Sequence, residues 1–216
     1  MHGYYQKNLK KWHKTLNSYM NYISYELESL TGQSYDTLIQ EIWTNYQAEM
    51  LERFPYIGGD AASGTKNLIG AYMFVSMGEV LKKYGVTTAQ SGHLMILIYE
   101  HQFTKIPSFL RSIMGKIFTN PQFLTKMFLK KDRKNALNAA QNPGSFETQT
   151  QIPPENGYDF SYHNLVCPLA DFAKNTDMKN TCLTSVIWIM SCSVFWVPHC
   201  TESIPALMMV IIVISS

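Results

Sequence analysis

Cysteine is scarce and late in this chain: Cys167, Cys182, Cys192 and Cys200 all fall in the last quarter, and no two form a CxxC pair. That pattern excludes a disulfide framework and a cysteine-based zinc site, so reduced thiols and no metal are the expectation. An excess of one charge is missing as well. The formal net charge is +2, and nothing in that balance calls for nucleic acid or an acidic substrate. The opening residues, Met1-His-Gly-Tyr-Tyr-Gln-Lys-Asn-Leu, lack the apolar core of a signal peptide, which points to the cytoplasm. The glycines match neither a P-loop nor a dinucleotide fingerprint. With 216 residues there is material for one substantial domain.

What is present is helical periodicity. Leu9, Trp12, Leu16, Tyr19, Met20, Ile23 and Leu27 recur at threes and fours, predicting one long helix over 4–30 that Thr31-Gly32 ends. Ser34 or Asp36 caps a second helix, which runs to Leu51 before Phe54-Pro55 stops it. A third, over 67–84, is apolar nearly all round and so belongs at the centre; Lys82, Lys83 and Gly85 mark its end. Thr87 or Thr88 caps a fourth, on which His93 and Glu100 lie two turns apart, either pointing into a cavity or, for the histidine, satisfied in the core. A short helix (109–117) and a longer one (121–140) follow. The basic group Lys126, Lys130, Lys131, Arg133 and Lys134 reads as the solvated face of that last helix. After the break at Asn142-Pro-Gly144, alternation over 145–152 and 157–165 predicts an antiparallel strand pair. The fold class is therefore α+β, a mostly helical bundle followed by a small antiparallel sheet that would want a third strand.

Two stretches carry site-like chemistry. Pro55-Tyr-Ile-Gly-Gly-Asp-Ala-Ala-Ser-Gly-Thr-Lys-Asn67 is rich in glycine, so it is either a loop that lets backbone approach a ligand or a plain connection between helices. Tyr158-Asp-Phe-Ser-Tyr-His-Asn-Leu-Val-Cys-Pro-Leu-Ala-Asp-Phe172 reads as strand, turn and helix. Cys167 then sits just ahead of a helix start, where the positive end of the dipole favours a thiolate. The competing reading is a small buried hydrophobe at a strand end.

The segment 182–216 differs from residues 1–181, which read as one domain. After Lys179 there is no lysine or arginine and the only acid is Glu202. Its two apolar runs, Leu183 to Val197 and Ala206 to Ile214, fall short of the ~20 residues a membrane-spanning helix needs. A shifted reading frame gives another account. If each codon is taken from the third base of one residue and the first two of the next, Trp188-Ile189 must give aspartate and Trp196-Val197 glycine. Met208-Met209-Val210 must give aspartate then glycine. With permissive third bases the segment becomes soluble, charged and turn-bearing, which predicts that Thr181 to Ser216 is an out-of-frame translation.

Pro55-Tyr-Ile-Gly-Gly59 with Asn67 downstream, Pro107-Ser-Phe-Leu-Arg111, and Tyr158-Asp-Phe followed by Cys167-Pro and Asp171-Phe172 stand in an order and spacing that resembles the L-2-amino-thiazoline-4-carboxylic acid hydrolase family. The resemblance covers about residues 4–177. The LC…D segment, TL or TC turn and terminal CDF that usually finish the family pattern are absent as written and emerge in the shifted frame. The resemblance implies hydrolytic opening of a cyclic amidine to a carbamoyl-cysteine. That chemistry requires a base or nucleophile, a donor for the leaving atom and an anchor for the carboxylate. On this basis the expected catalytic residues are Cys167 as nucleophile or substrate-contacting thiol, His163 as its base and Asp159 as orienting group. Gly58, Gly59, Asn67, Glu100 and Asp171 are the expected substrate-binding residues, with Asp171 an alternative orienting group. The expected partner is a small-molecule substrate, with no membrane unless the tail is genuine; no cofactor is assigned. The alternative is a helical protein without catalysis, either a small-molecule binder or a membrane-tethered chain.

Overall fold

A computed structural model describes residues 1–118, 120–152, 161–175 and 212–214. Within these the chain forms two compact units. The first comprises, among the described residues, 1–106 and 169–175. The second comprises Pro107–Pro168 with the strand at Ile212–Ile214.

In the first unit the predicted long helix is broken into α1 (Gly3–Lys7), α2 (Leu9–Met20) and α3 (Ser24–Thr31), with a tight 3-10 turn at Asn21–Ile23 between the last two. The apolar stripe survives the breaks: Tyr5, Trp12, Leu16, Met20, Ile23 and Leu27 are all buried. Gly32 ends α3 in the left-handed conformation (φ 69°), which only glycine adopts at no steric cost. Ser34 then caps α4 (Tyr35–Tyr46), its side chain accepting from the Thr37 amide. A wider turn, Gln47–Leu51, continues α4 and buries Met50 and Leu51 before Pro55. α5 (Ser63–Lys83) starts four residues ahead of the expected 67, and every residue from Leu68 to Met77 is buried, as its uniform apolarity requires. Thr87 caps α6 (Thr88–Thr104) through a reciprocal box with Gln90.

The core of this unit centres on Phe54, whose ring meets those of Phe172 (4.9 Å), Tyr72 (5.5 Å), Tyr5 (5.7 Å) and Tyr46 (6.1 Å), mostly edge to face. Several buried hydroxyls here end on backbone carbonyls, whereas that of Thr65 has no partner among the described residues. Tyr46 donates to Ile69 O at 2.9 Å, Tyr72 to Leu169 O at 2.7 Å and Ser76 to Ile42 O at 2.8 Å.

The second unit holds α7 (Ser108–Phe118), α8 (Pro121–Gln141) and strands β1 (Glu147–Gln151), β2 (Ser161–Val166) and β3 (Ile212–Ile214). Asn120 caps α8 by accepting from the Phe123 amide, and Pro121 occupies its first position, where a missing N–H costs nothing. The sheet order is β1-β2-β3. β1 and β2 pair antiparallel, Thr148 opposite Asn164 and Thr150 opposite Tyr162, as expected from their alternation. β3 supplies the third strand and lies parallel to β2, which makes the sheet mixed. Leu124, Phe128 and Tyr162 form the buried cluster between α8 and the sheet. Except for Ile212–Ile214, the segment read as out of frame lies outside the described residues, as does the boundary expected near 181. No helix among the described residues is long and apolar enough to cross a membrane.

Candidate functional site

Cys167 stands where the sequence places it, between β2 and α9 (Pro168–Asn175), with Pro168 as the first helical residue. Its side chain is buried, 6% exposed. The alternation of β2 sorts its side chains onto two faces. Tyr162 and Asn164 are buried on the face toward α8, whereas His163 and Leu165 belong to the opposite face. The thiol is among the groups that raise the pKa of the Tyr162 phenol, after burial and Asp132. His163 sits in the ladder, opposite Gln149 on one side and Val213 on the other. Asp159 lies outside the described residues.

The substrate-binding residues expected from the sequence distribute over the first unit. Gly58 and Gly59 are buried and take positive φ (108° and 57°), so the turn they make is real. What approaches them closely belongs to the chain itself. A Cβ on Gly59 would stand 3.0 Å from the Tyr4 ring and 3.3 Å from that of Tyr56. Tyr4 in turn donates to Asp60 at 2.9 Å, and this hydrogen bond, followed by Lys11, holds the exposed Asp60 carboxyl below its ordinary range. Gly59 is thus accounted for by aromatic packing ahead of α5. Asn67 is half-buried on α5, Glu100 is exposed on α6 and Asp171 is exposed on α9. α9 itself is anchored by Phe172, whose ring packs on Tyr72 at 4.7 Å. The pairing of His93 with Glu100 does not extend to one cavity wall. His93, Glu26, Tyr25, Leu30, Leu94 and Leu97 line an apolar groove of about 480 Å³ between α3 and α6, and Glu100 is not among its lining residues.

The polar groups that the sequence reading passed over lie between α8 and the sheet. Asp132 Oδ1 accepts from Thr148 Oγ1 and Asp132 Oδ2 from the Thr150 amide, both at 2.7 Å. Asn135 Nδ2 donates to Thr148 Oγ1 at 2.9 Å. Lys131 extends over the Tyr162 ring, its Nζ 5.2 Å from the centroid, and burial depresses its pKa while nearby Asp132 partly offsets that effect. Burial pushes the Tyr162 phenol up to about 12. Thr148 is near enough to temper that rise, but its hydroxyl is committed to Asp132, and the Tyr162 hydroxyl has no hydrogen bond.

The basic group on α8 is correspondingly not uniform. Lys126, Lys130, Arg133 and Lys134 are exposed, as a solvated face requires, whereas Lys131 is half-buried. The signal was available: Leu124, Phe128, Lys131 and Asn135 follow at spacings of four, three and four, one stripe of a helix. Three or more His, Cys, Asp or Glu side chains positioned to hold a metal are not found among the described residues. Compared with family models, curated proteins and solved structures, the chain has no match.

Proposed function

We propose that this chain is a small-molecule hydrolase that opens a cyclic amidine of the 2-amino-thiazoline-4-carboxylate type, working in the cytoplasm, with Cys167 as the group that meets the substrate. The observation that carries the reading is the position of that thiol: buried, and immediately ahead of the first residue of α9. Burial alone would keep a thiol protonated. The helix start opposes that effect and favours the thiolate. In the reaction one water is consumed. Its oxygen bonds to the ring carbon between sulfur and nitrogen, one ring bond from that carbon breaks, and the released ring atom takes up a proton. The product is a carbamoyl-cysteine. Cys167 either attacks that carbon before water or contacts the ring while water attacks.

A second reading, a binder without catalysis, is favoured by the groove between α3 and α6, whose volume suits a small ligand. Turnover separates the two. The full chain is incubated with 2-amino-thiazoline-4-carboxylate and carbamoyl-cysteine is followed. Cys167→Ser, nearly equal in volume, is expected to lower turnover by roughly a hundredfold or more while moving the melting temperature little. Unchanged turnover with a lower melting temperature makes Cys167 a core residue. Binding of the thiazoline without any product establishes the binder instead.

A further inference from the structure

The α8-facing side of β1 and β2 carries more donors than the protein satisfies. Asp132, Asn135 and Thr148 satisfy one another. Beside them, the Tyr162 hydroxyl has no hydrogen-bond partner although the residue is only 4% exposed, and the buried Thr150 Oγ1 has none either. These two hydroxyls belong to residues directly opposite each other across the β1–β2 pair. Lys131 Nζ stands 5.2 Å from the centre of the same Tyr162 ring, and no ion pair to it occurs among the described residues. Folding does not ordinarily bury two hydroxyls unsatisfied next to a half-desolvated ammonium, because each gives up water and gains nothing. All three gain at once from one ligand type: an anion with at least two acceptor oxygens.

We propose that Lys131, Tyr162 and Thr150 form a subsite for the carboxylate of a small organic acid. The ammonium supplies the charge and the two hydroxyls donate to the oxygens, which gives the directional donors a planar carboxylate needs. Asp132 has both oxygens engaged, by Thr148 and by the Thr150 amide, and keeps its negative charge, so the Lys131 ammonium has to outweigh it for an anion to bind. The choice of the thiazoline carboxylate as natural occupant rests on the hydrolase reading; the binding of a carboxylate does not.

The experiment uses the full chain. Its melting temperature is measured in sodium acetate and in sodium chloride at matched ionic strength, for the wild type and for Tyr162→Phe and Thr150→Val, both nearly isosteric. Acetate is expected to raise the wild-type melting temperature above that in chloride, and either substitution to remove most of the difference without lowering the melting temperature in chloride. Calorimetry then compares 2-amino-thiazoline-4-carboxylate with 2-amino-thiazoline, which lacks the carboxylate. Tyr162→Phe and Lys131→Met are expected to weaken the first roughly tenfold and leave the second unchanged. Equal melting temperatures in acetate and chloride overturn the proposal, as does an acetate effect that persists in Tyr162→Phe. An acetate effect without thiazoline turnover retains the subsite and rejects the hydrolase. Turnover with an unaltered KM in Tyr162→Phe does the reverse.

Discussion

The two units bury tyrosine in opposite ways. In the first, Tyr46 and Tyr72 are fully enclosed and each hydroxyl donates to a backbone carbonyl, of Ile69 and Leu169 respectively. In the second, Tyr162 is almost as enclosed and its hydroxyl donates to nothing. A phenol contributes a large apolar ring and one polar handle, and burial is favourable only if the handle is used. The first unit uses it to fasten strongly apolar elements to one another, α4 to α5 and α5 to α9. The second buries a hydroxyl it does not use, and that is the donor the proposed carboxylate would engage.

Substitutions can sharpen this contrast. The largest effect on stability is expected from Phe54→Ala. Four aromatic rings meet that side chain, and a cavity of this kind costs about 3–5 kcal/mol, read as a loss in denaturant unfolding. Tyr72→Phe should cost less, about 0.5–1.5 kcal/mol, because it removes the hydroxyl's hydrogen bond to the Leu169 carbonyl. Tyr162→Phe should cost nothing measurable in the absence of ligand, or stabilise slightly, since the hydroxyl removed has no partner to strand. A loss comparable to that of Tyr72→Phe would end the distinction between the two units.

A further effect concerns pH. A phenol whose pKa is raised on folding from 10.0 to about 12 stays protonated in the folded chain at a pH where the unfolded chain has ionised. Its contribution to stability is therefore fully present below pH 10 and is lost as the pH rises toward about 12. Tyr162→Phe should flatten the alkaline limb of the stability profile over that interval. The raised pKa of Tyr46 leaves part of the slope in place.

Much of this architecture could be read from spacing and punctuation. α4 and α6 begin at capping residues named among the sequence candidates, Ser34 and Thr87, and α8 begins at Pro121 as expected. The strand pair followed from alternation because one face of each strand meets α8. The breaks at Asn8 and at Asn21–Ile23 were not legible, since the apolar stripe of a helix runs on through a tight turn without changing its spacing. Of the candidate site, the placement of Cys167 before Pro168 was readable because proline marks a first helical turn. The role of Gly59 was not, because its crowding comes from Tyr4, 55 residues earlier in the chain. Lys131 was missed for a related reason. A run of cations reads as solvent-facing, and only the stripe through Leu124 and Phe128 shows that one of them turns inward.

The bond between Asp132 and the Thr150 amide has a consequence beyond the site. β1 is the outer strand of the sheet on its side, and an outer strand ordinarily offers its free amides to any passing strand. Here a helix side chain has taken the Thr150 N–H at 2.7 Å and placed a negative charge there. An incoming chain would find no donor at that position and a carboxylate in its path. Asp132→Ala would remove both obstacles. The loss to expect is first in colloidal behaviour: concentration-dependent self-association by light scattering, at temperatures well below the unfolding of the monomer.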